Sequence, residues 1–325
     1  MSATRVVVRQ PGGVDQFAVE SFDVPEPGDG EIRVRHTAIG LNFIDVYHRT
    51  GLYPAPTPTD YVLGGEAVGV VEARGDGVSD HSVGQRIAYA TNFGAYSSHR
   101  VLAADLAVPL PDDIDDAIAA ASFLKGLTVR YLIFDSYPAR AGDTVLFHAA
   151  AGGVGLIAGQ WLQALGVSAI GTAGSDAKCE LARGYGYEHV INYRTQSFVD
   201  EVKELTAGDG VDAVYDSVGQ ATYPGSLDCL KPLGTFVSFG QSSGPVTDFK
   251  IADLARGSLR MQRPTLFHYI ADRAWLKDGA AELFRHIGDD VIRIQAPAQF
   301  ALTDAAAAHA ALEGRQTTGS TVLVP

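Results

Sequence analysis

The stretch Ala150-Ala151-Gly152-Gly153-Val154-Gly155 holds the residues whose types and spacing speak most directly of chemistry. It matches the phosphate-binding pattern G-x-G-x-x-G except that Ala150 stands at the first glycine. Gly152 lets the backbone approach a pyrophosphate, and Gly155 lets the following helix lie close on the preceding strand. The free N–H groups at the helix start then face the anion. Val154, Ile157, Ala158, Trp161, Leu162 and Leu165 recur at helical spacing behind the motif and give that helix an apolar face. A tight strand-to-helix turn can need glycine without binding anything. The place of this one, between a strand-like TVLFHA and an amphipathic helix, points to a dinucleotide.

The choice of dinucleotide rests on the next strand. An acidic residue about 20 positions beyond the motif would bind the ribose hydroxyls of NAD and repel a 2′-phosphate. Here the strand ends Gly171-Thr172-Ala173-Gly174-Ser175, with no carboxylate at its tip; Lys178 lies one helical turn on, and Tyr193-Arg194 follow the third strand. Hydroxyl, cation and aromatic groups in that arrangement suit an extra phosphate, so NADPH is the expected cofactor. Asp176 stands near the position of the missing acid, but beside Ser175 at a helix start its expected task is capping.

Positioning these residues requires an alternating framework, which the chain has. From about residue 125, TVLFHA, VSAIGTA, HVINY, VDAVYDS and TFVSFG alternate with helical segments such as DAKCELARGYG, FVDEVKELTAG and YPGSLDCLKP. That order predicts a doubly wound parallel sheet. Residues 1 to about 110 instead alternate short β-rich runs (RVVVR, EIRVRHTAIG, RIAYA) with Gly/Pro/Asp turns, which predicts a compact, largely antiparallel β domain. After GSLRMQRP the pattern changes through HYIADRAWLKDGAAELFRHIG and DAAAAHAALEGR to STVLVP, a tail expected to return to the first domain. The fold class is α/β, with domains expected at 1–124 plus 266–325 and at 125–265.

Composition narrows the partners. The 325 residues carry a formal charge of −13, which opposes a nucleic-acid backbone or an anionic lipid surface. No secretion-signal pattern opens the chain, and apolar runs are broken before the ~20 residues a membrane span needs. A cytoplasmic enzyme is expected, with no nucleic acid and no membrane as partner. Cys179 and Cys229 are the two cysteines; both fall in segments that read as helix and suit small buried residues, not a disulfide framework or a thiolate metal cluster.

The segments GLNFIDVYHRTGLYP, SFLKGLTVRYL, LFHAAAGGVGLIAGQW, VINYR, VYDSVG, VSFGQSSG and TTGSTVLVP together resemble the zeta-crystallin-type quinone oxidoreductases of the medium-chain dehydrogenase/reductase superfamily. The resemblance spans almost the whole chain and includes Ala150, the usual residue of that family at the first glycine position. It implies a GroES-like, mainly β catalytic domain, a Rossmann domain, and a cleft between them holding NADPH. In that pattern Gly152, Gly153 and Val154 meet the pyrophosphate, while Gly174, Ser175, Lys178 and Tyr193 surround the 2′-phosphorylated adenosine end. Ser217, Phe239, Gly240, Gln241 and Ser242 line the cofactor's path, Phe267 and Gly319 match further contact regions, and Asn42, Tyr47 and Thr128 lie close to the nicotinamide half. Lys125 either pairs with a cofactor phosphate or caps the interdomain helix. GSLRMQRP resembles the last edge strand of the sheet, through which relatives commonly dimerise, so a homodimer is implied.

The similar zinc alcohol dehydrogenases carry a Cys near Asn42-Phe43 and a His-Glu pair where this chain has Gly64-Gly65-Glu66. With no Cys before residue 179, neither the catalytic nor the four-cysteine structural zinc site can be assembled, and His36, His48, His81 and His99 lack ligand spacing. A metal-free relative needs an acceptor that tolerates negative charge unaided. A quinone, whose reduced oxygen is delocalised over the ring, can take reducing equivalents from nicotinamide C4 while the pocket orients the two rings. A conjugated enal or enone would also qualify, and a non-enzymatic NADPH-binding role, RNA-binding or structural, is the alternative of a different class. Asn42, Asp45, Tyr47 and Tyr53 form the polar set on the segment that resembles the family's substrate-facing wall. A tyrosine, with a reference pKa of about 10, can donate a proton or hydrogen bond at neutral pH but is no ready base.

Overall fold

The computed structural model describes residues 2–325 and divides into two units. One holds the chain up to Lys125 with Ile270–Asp289 and Ile294–Pro325; the other holds Gly126–Tyr269 with Asp290–Arg293.

The first unit opens with β1 (Ser2–Val8), β2 (Phe17–Asp23), β3 (Glu31–Leu41), α1 (Phe43–Thr50), β4 (Tyr61–Val62), β5 (Glu66–Arg74), β6 (Arg86–Ala90), β7 (His99–Ala103) and β8 (Ala107–Pro109). Strands β2-β1-β4 make a small antiparallel sheet. The larger sheet is built on β3, which pairs antiparallel with β5 and β7. Ile32 and Val34 point inward on alternate positions of β3, as a half-buried strand requires, and join Val6, Val8, Tyr89 and Leu323 in one apolar cluster. Each such side chain contributes about 1.5–3 kcal/mol on burial.

Helix α2 (Asp116–Arg130) leads into the second unit and continues as a π-helical turn to Ser136. This 21-residue segment is long and apolar enough to cross a membrane by length and composition, a length the sequence pattern, read as interrupted, does not suggest. Of its most apolar window 72% is buried inside the protein, the property of a core helix.

In the second unit β9 (Thr144–Phe147), α3 (Gly153–Ala164), β10 (Ser168–Ala173), α4 (Asp176–Arg183), β11 (His189–Asn192), α5 (Phe198–Leu205), β12 (Val211–Asp216), α6 (Tyr223–Asp228), β13 (Leu230–Ser238) and β14 (Arg260–Gln262) follow in turn. The strands order as β11-β10-β9-β12-β13-β14, and every neighbouring pair is parallel. Counted from β9 this is the doubly wound order 3-2-1-4-5-6, whose ligand crevice lies beyond the carboxyl ends of the strands where the order reverses. GSLRMQRP supplies the edge strand β14. Helix α6 ends at Asp228, so Cys229 follows a helix instead of lying in one, and Leu230-Lys231-Pro232 already belong to β13. Both cysteines are buried and free.

After α7 (Leu266–Ile270), the chain adds α8 (Arg273–Gly288), β15 (Ala298–Ala301), α9 (Ala305–Glu313) and β16 (Thr321–Val324). Strand β16 pairs with β3, and β15 with β16.

Candidate functional site

In the second unit most of the residues expected at the site follow the carboxyl ends of the strands of its sheet. After β9 the chain passes Ala149, at φ +58, so the left-handed residue precedes the alanine that replaces the first glycine. Gly152 is the N-cap of α3, and no side chain caps it, leaving first-turn N–H groups for an anion. A Cβ at Gly152 would meet only the Ala149 carbonyl, 3.2 Å away, whereas one at Gly155 would lie 2.5 Å from two backbone oxygens. Gly155 is thus a packing requirement, while the space beside Gly152 is open. Val154 and Gly153 complete that first turn.

At the tip of β10, a Cβ on Gly174 would lie 2.5 Å from the Tyr193 hydroxyl, so the half-exposed Tyr193 ring spreads over Gly174. Ser175 caps α4 by accepting from the Lys178 backbone N–H. The capping expected of Asp176 therefore belongs to Ser175. Asp176 instead accepts a hydrogen bond from Asn192 Nδ2 at 2.7 Å, because one position further on its carboxylate leaves the cap and reaches the end of β11.

Ser217 follows β12, and Phe239, Gly240, Gln241 and Ser242 follow β13. A Cβ on Gly240 would come within 2.7 Å of the Ser217 carbonyl, and the Ser242 N–H donates to that same oxygen. The buried Asp216 organises both loops. Its Oδ1 accepts from the N–H groups of Val218 (2.7 Å) and Gly219 (3.0 Å), and its Oδ2 from Thr222 and Ser226. Ser226 Oγ also lies 2.9 Å from His148 Nε2, whose ring reaches Thr172 on its other side. Burial pushes the His148 pKa down. Asp216 stands in VYDSVG, and His148 in LFHAA, yet nothing local to either segment marks the residue. Thr128 is buried on α2, and Phe267 lies on α7.

In the first unit the polar set surrounds the start of α1. Asn42 is the N-cap; its N–H donates to Asp45 Oδ2 at 2.9 Å and its Nδ2 to Glu66 Oε1 at 2.9 Å. Glu66 is fully buried, and accepts also from Lys125 Nζ (2.9 Å) and the Leu124 N–H (2.7 Å). Gly40 makes room for it, since a Cβ there would run into the Glu66 carboxyl and the Ala120 carbonyl. Lys125 thus pairs with Glu66, a partner neither expectation for it included. A carboxylate so deep in the wall needs that ammonium to be stable, and Glu66 could have been found only by knowing that Lys125 folds back on it. The Tyr47 and Tyr53 rings lie 5.1 Å apart, with the Tyr53 N–H donating to the Tyr47 carbonyl. Asp45 is fully buried, and desolvation pushes its pKa up to about 7 against the bonds from Asn42 and Tyr96. Gly319, at φ +63, stands just before β16.

The histidines of this unit have local partners. His36 Nδ1 donates to the Ser97 carbonyl and its Nε2 faces the Tyr89 hydroxyl; His48 and His81 bond to the carbonyls of Pro54 and Ala104; His99 approaches Glu72. An open groove of about 680 Å³ is lined by Val108, Lys277, Ala280, Phe284, Arg285 and others; it contains none of the sequence-derived residues.

The alcohol dehydrogenase GroES-like domain matches residues 28–112, and the zinc-binding dehydrogenase domain matches residues 153–277. A quinone oxidoreductase of Pseudomonas aeruginosa is 50% identical over 326 residues, covering 99% of this chain and 100% of that protein. A 2-haloacrylate reductase of Burkholderia sp is 43% identical, covering 98% of each. The crystal structure of Escherichia coli quinone oxidoreductase complexed with NADPH superposes with a TM-score of 0.97 at 46% identity, covering 99% of this chain and 100% of that one.

The zinc in the second domain's description does not fit the residues present. Among the described residues no group of three His, Cys, Asp or Glu could hold a metal ion. Both oxygens of Glu66 are engaged by Lys125, Leu124 and Asn42, and zinc sites of this kind need thiolate or imidazole donors. Full-length identity, two domain matches and the doubly wound sheet agree: the chain belongs to the quinone oxidoreductase family of the medium-chain dehydrogenase/reductase superfamily.

Proposed function

We propose that this protein is an NADPH-dependent quinone oxidoreductase that works without a metal. The observation that carries the reading is the tip of β10, where Ser175 caps α4 on the Lys178 N–H, Tyr193 spreads over Gly174 and the nearby carboxylate of Asp176 is drawn to Asn192. Cation, hydroxyl and ring suit a 2′-phosphate; an engaged acid does not compete for ribose hydroxyls. The uncapped first turn of α3 takes the pyrophosphate, and Ser217, Phe239, Gly240, Gln241 and Ser242 guide the rest of the dinucleotide, with Thr128, Phe267 and Gly319 as further contacts. Bound there, the cofactor supplies a hydride from nicotinamide C4.

The acceptor is held against the wall of Asn42, Tyr47 and Tyr53; Asp45, expected from the sequence to face it, is fully buried behind Asn42. Asn42 is fixed at its backbone by Asp45 and at its amide by Glu66, so it presents a preset contact, and preset geometry is what orients two rings for transfer. Tyr47 and Tyr53 hold each other in place and can donate hydrogen bonds to the acceptor oxygen. A quinone needs no Lewis acid, which suits a wall where the buried Lys125 is already paired with Glu66.

The relative named 2-haloacrylate reductase supports a second reading, reduction of a conjugated carbonyl double bond. We also propose that the protein is a cytoplasmic homodimer associated through β14, the terminal strand of the six-stranded sheet, since an edge strand can extend a sheet across two copies. Steady-state NADPH oxidation with 1,4-benzoquinone, a naphthoquinone and an alkenal tests the reading. Turnover with the quinones supports it, and turnover with the alkenal alone replaces it by the second.

A further inference from the structure

Behind Asn42 lies a row of three buried residues from distant parts of the chain. Asp45 comes from α1, Tyr96 from the loop before β7 and His309 from α9, and each is 0% exposed. Asp45 Oδ2 accepts from the Asn42 N–H at 2.9 Å and from the Tyr96 hydroxyl at 3.2 Å, and that hydroxyl lies 2.9 Å from His309 Nε2. At each end of the row one atom has no protein partner, Asp45 Oδ1 and His309 Nδ1.

The row has a direction. Tyr96 has one proton, and giving it to Asp45 leaves the hydroxyl oxygen to accept from His309, which then carries its own proton on Nε2. The unpartnered Nδ1 is in that case a lone pair and not a stranded buried N–H. The imidazole is neutral, since burial and then Arg49 push its pKa down to about 3. Two donors in series therefore stabilise charge on Asp45, together with the Asn42 N–H and Lys125 on α2. Burial and Glu66 at the start of β5 oppose that charge. A proton added at Oδ1 would be an O–H without a protein partner, a cost set against that of the buried charge it removes, but it would leave both bonds to Oδ2 in place, so the carboxyl can change charge without moving Asn42.

We propose that Tyr96 and His309 are positioning residues that set the charge on Asp45, and that the uncharged carboxyl is the form in which the Asn42 wall supports reduction. The proposal rests on the quinone oxidoreductase reading. Arrival of a hydride places negative charge on the acceptor oxygen. With Asp45 ionised, two buried carboxylates face one ammonium behind the wall and the excess charge opposes that step. With Asp45 protonated, Glu66 and Lys125 form a balanced pair, and the opposition is gone. The electrostatic effect needs no proton path from Asp45 to the acceptor.

The test is the pH dependence of single-turnover NADPH oxidation by 1,4-benzoquinone in the wild type, Asp45→Asn and Tyr96→Phe, with a ¹³C-carboxyl NMR titration of Asp45 in the wild type and Tyr96→Phe. The wild-type rate is expected to fall as pH rises, with a midpoint near neutrality that coincides with the NMR midpoint. Asp45→Asn should lose that midpoint. Tyr96→Phe, which removes a donor to the carboxylate, should move both midpoints up by about one pH unit. An Asp45→Asn enzyme that keeps the midpoint, or a Tyr96→Phe enzyme with wild-type midpoints, overturns the inference. If Asp45→Asn does not fold, the Tyr96→Phe shift decides. A wild-type protein that oxidises no NADPH with quinone overturns the functional reading instead, and the NMR midpoints still judge the row.

Discussion

Lys125 Nζ donates to Glu66 Oε1 at 2.9 Å within a wall where both residues are buried, and the same oxygen holds the Asn42 side chain. Removing one partner strands the other. Lys125→Met should therefore destabilise the protein by about 3–5 kcal/mol, while Glu66→Gln with Lys125→Met should recover much of the loss. Urea unfolding of the single and double variants measures this. Equal losses in both would mean that the ion pair does not decide stability.

Cofactor preference should reside at the tip of β10. Lys178→Ala is expected to weaken NADPH binding by about tenfold, corresponding to about 1.4 kcal/mol, and to leave NADH binding nearly unchanged. Fluorescence titration of both nucleotides is the measurement. Equal wild-type dissociation constants for NADPH and NADH would sink the cofactor assignment.

Two glycines should respond differently to an added methyl group. At Gly155 the carbon meets fixed backbone oxygens, so Gly155→Ala should cost stability, by about 1–3 kcal/mol. At Gly174 it meets the end of the half-exposed Tyr193 side chain, which can swing aside. Gly174→Ala should keep its melting temperature and lose NADPH affinity, a split read by calorimetry and titration together.

Acid stability follows from the buried histidines. Burial holds His36 and His309 near pKa 3, below the ordinary value of 6.5, so as pH falls below 6.5 the unfolded chain takes up protons that the folded one refuses. Each such group removes stability at about 1.4 kcal/mol per pH unit until its folded pKa is reached. Asp45 works in the opposite sense. Its raised pKa makes the folded state the better proton binder between about 7 and its ordinary 3.8, so it contributes stability as pH falls through that range. The histidines outnumber it, and the unfolding free energy should fall from pH 6 to pH 4. His36→Gln should flatten that slope and Asp45→Asn should steepen it, both measurable by urea midpoints across the range.

Exhaustive chelation should leave quinone turnover unchanged, because thiolate and imidazole ligands are missing where zinc relatives carry them. Activity lost on dialysis against a chelator and restored by a divalent ion would refute this.

The sequence by itself determined what depends on local spacing. Strand, glycine turn and helix recur along residues 144–238, and that period alone is enough for a parallel doubly wound sheet. The lack of a carboxylate at the tip of β10 and the absent cysteines before residue 179 are equally local, so cofactor and metal expectations could be drawn from them. Tertiary structure decided what depends on groups meeting from far apart. Lys125 reads as a helix residue with two plausible tasks until the fold brings Glu66, 59 positions away, to its ammonium. Asp176 and Ser175 look interchangeable as caps until backbone geometry gives the cap to one and Asn192 to the other. Asp45, Tyr96 and His309 carry no shared pattern, because burial and hydrogen bonding across 264 residues of chain are properties of the packed interior and have no period in the sequence.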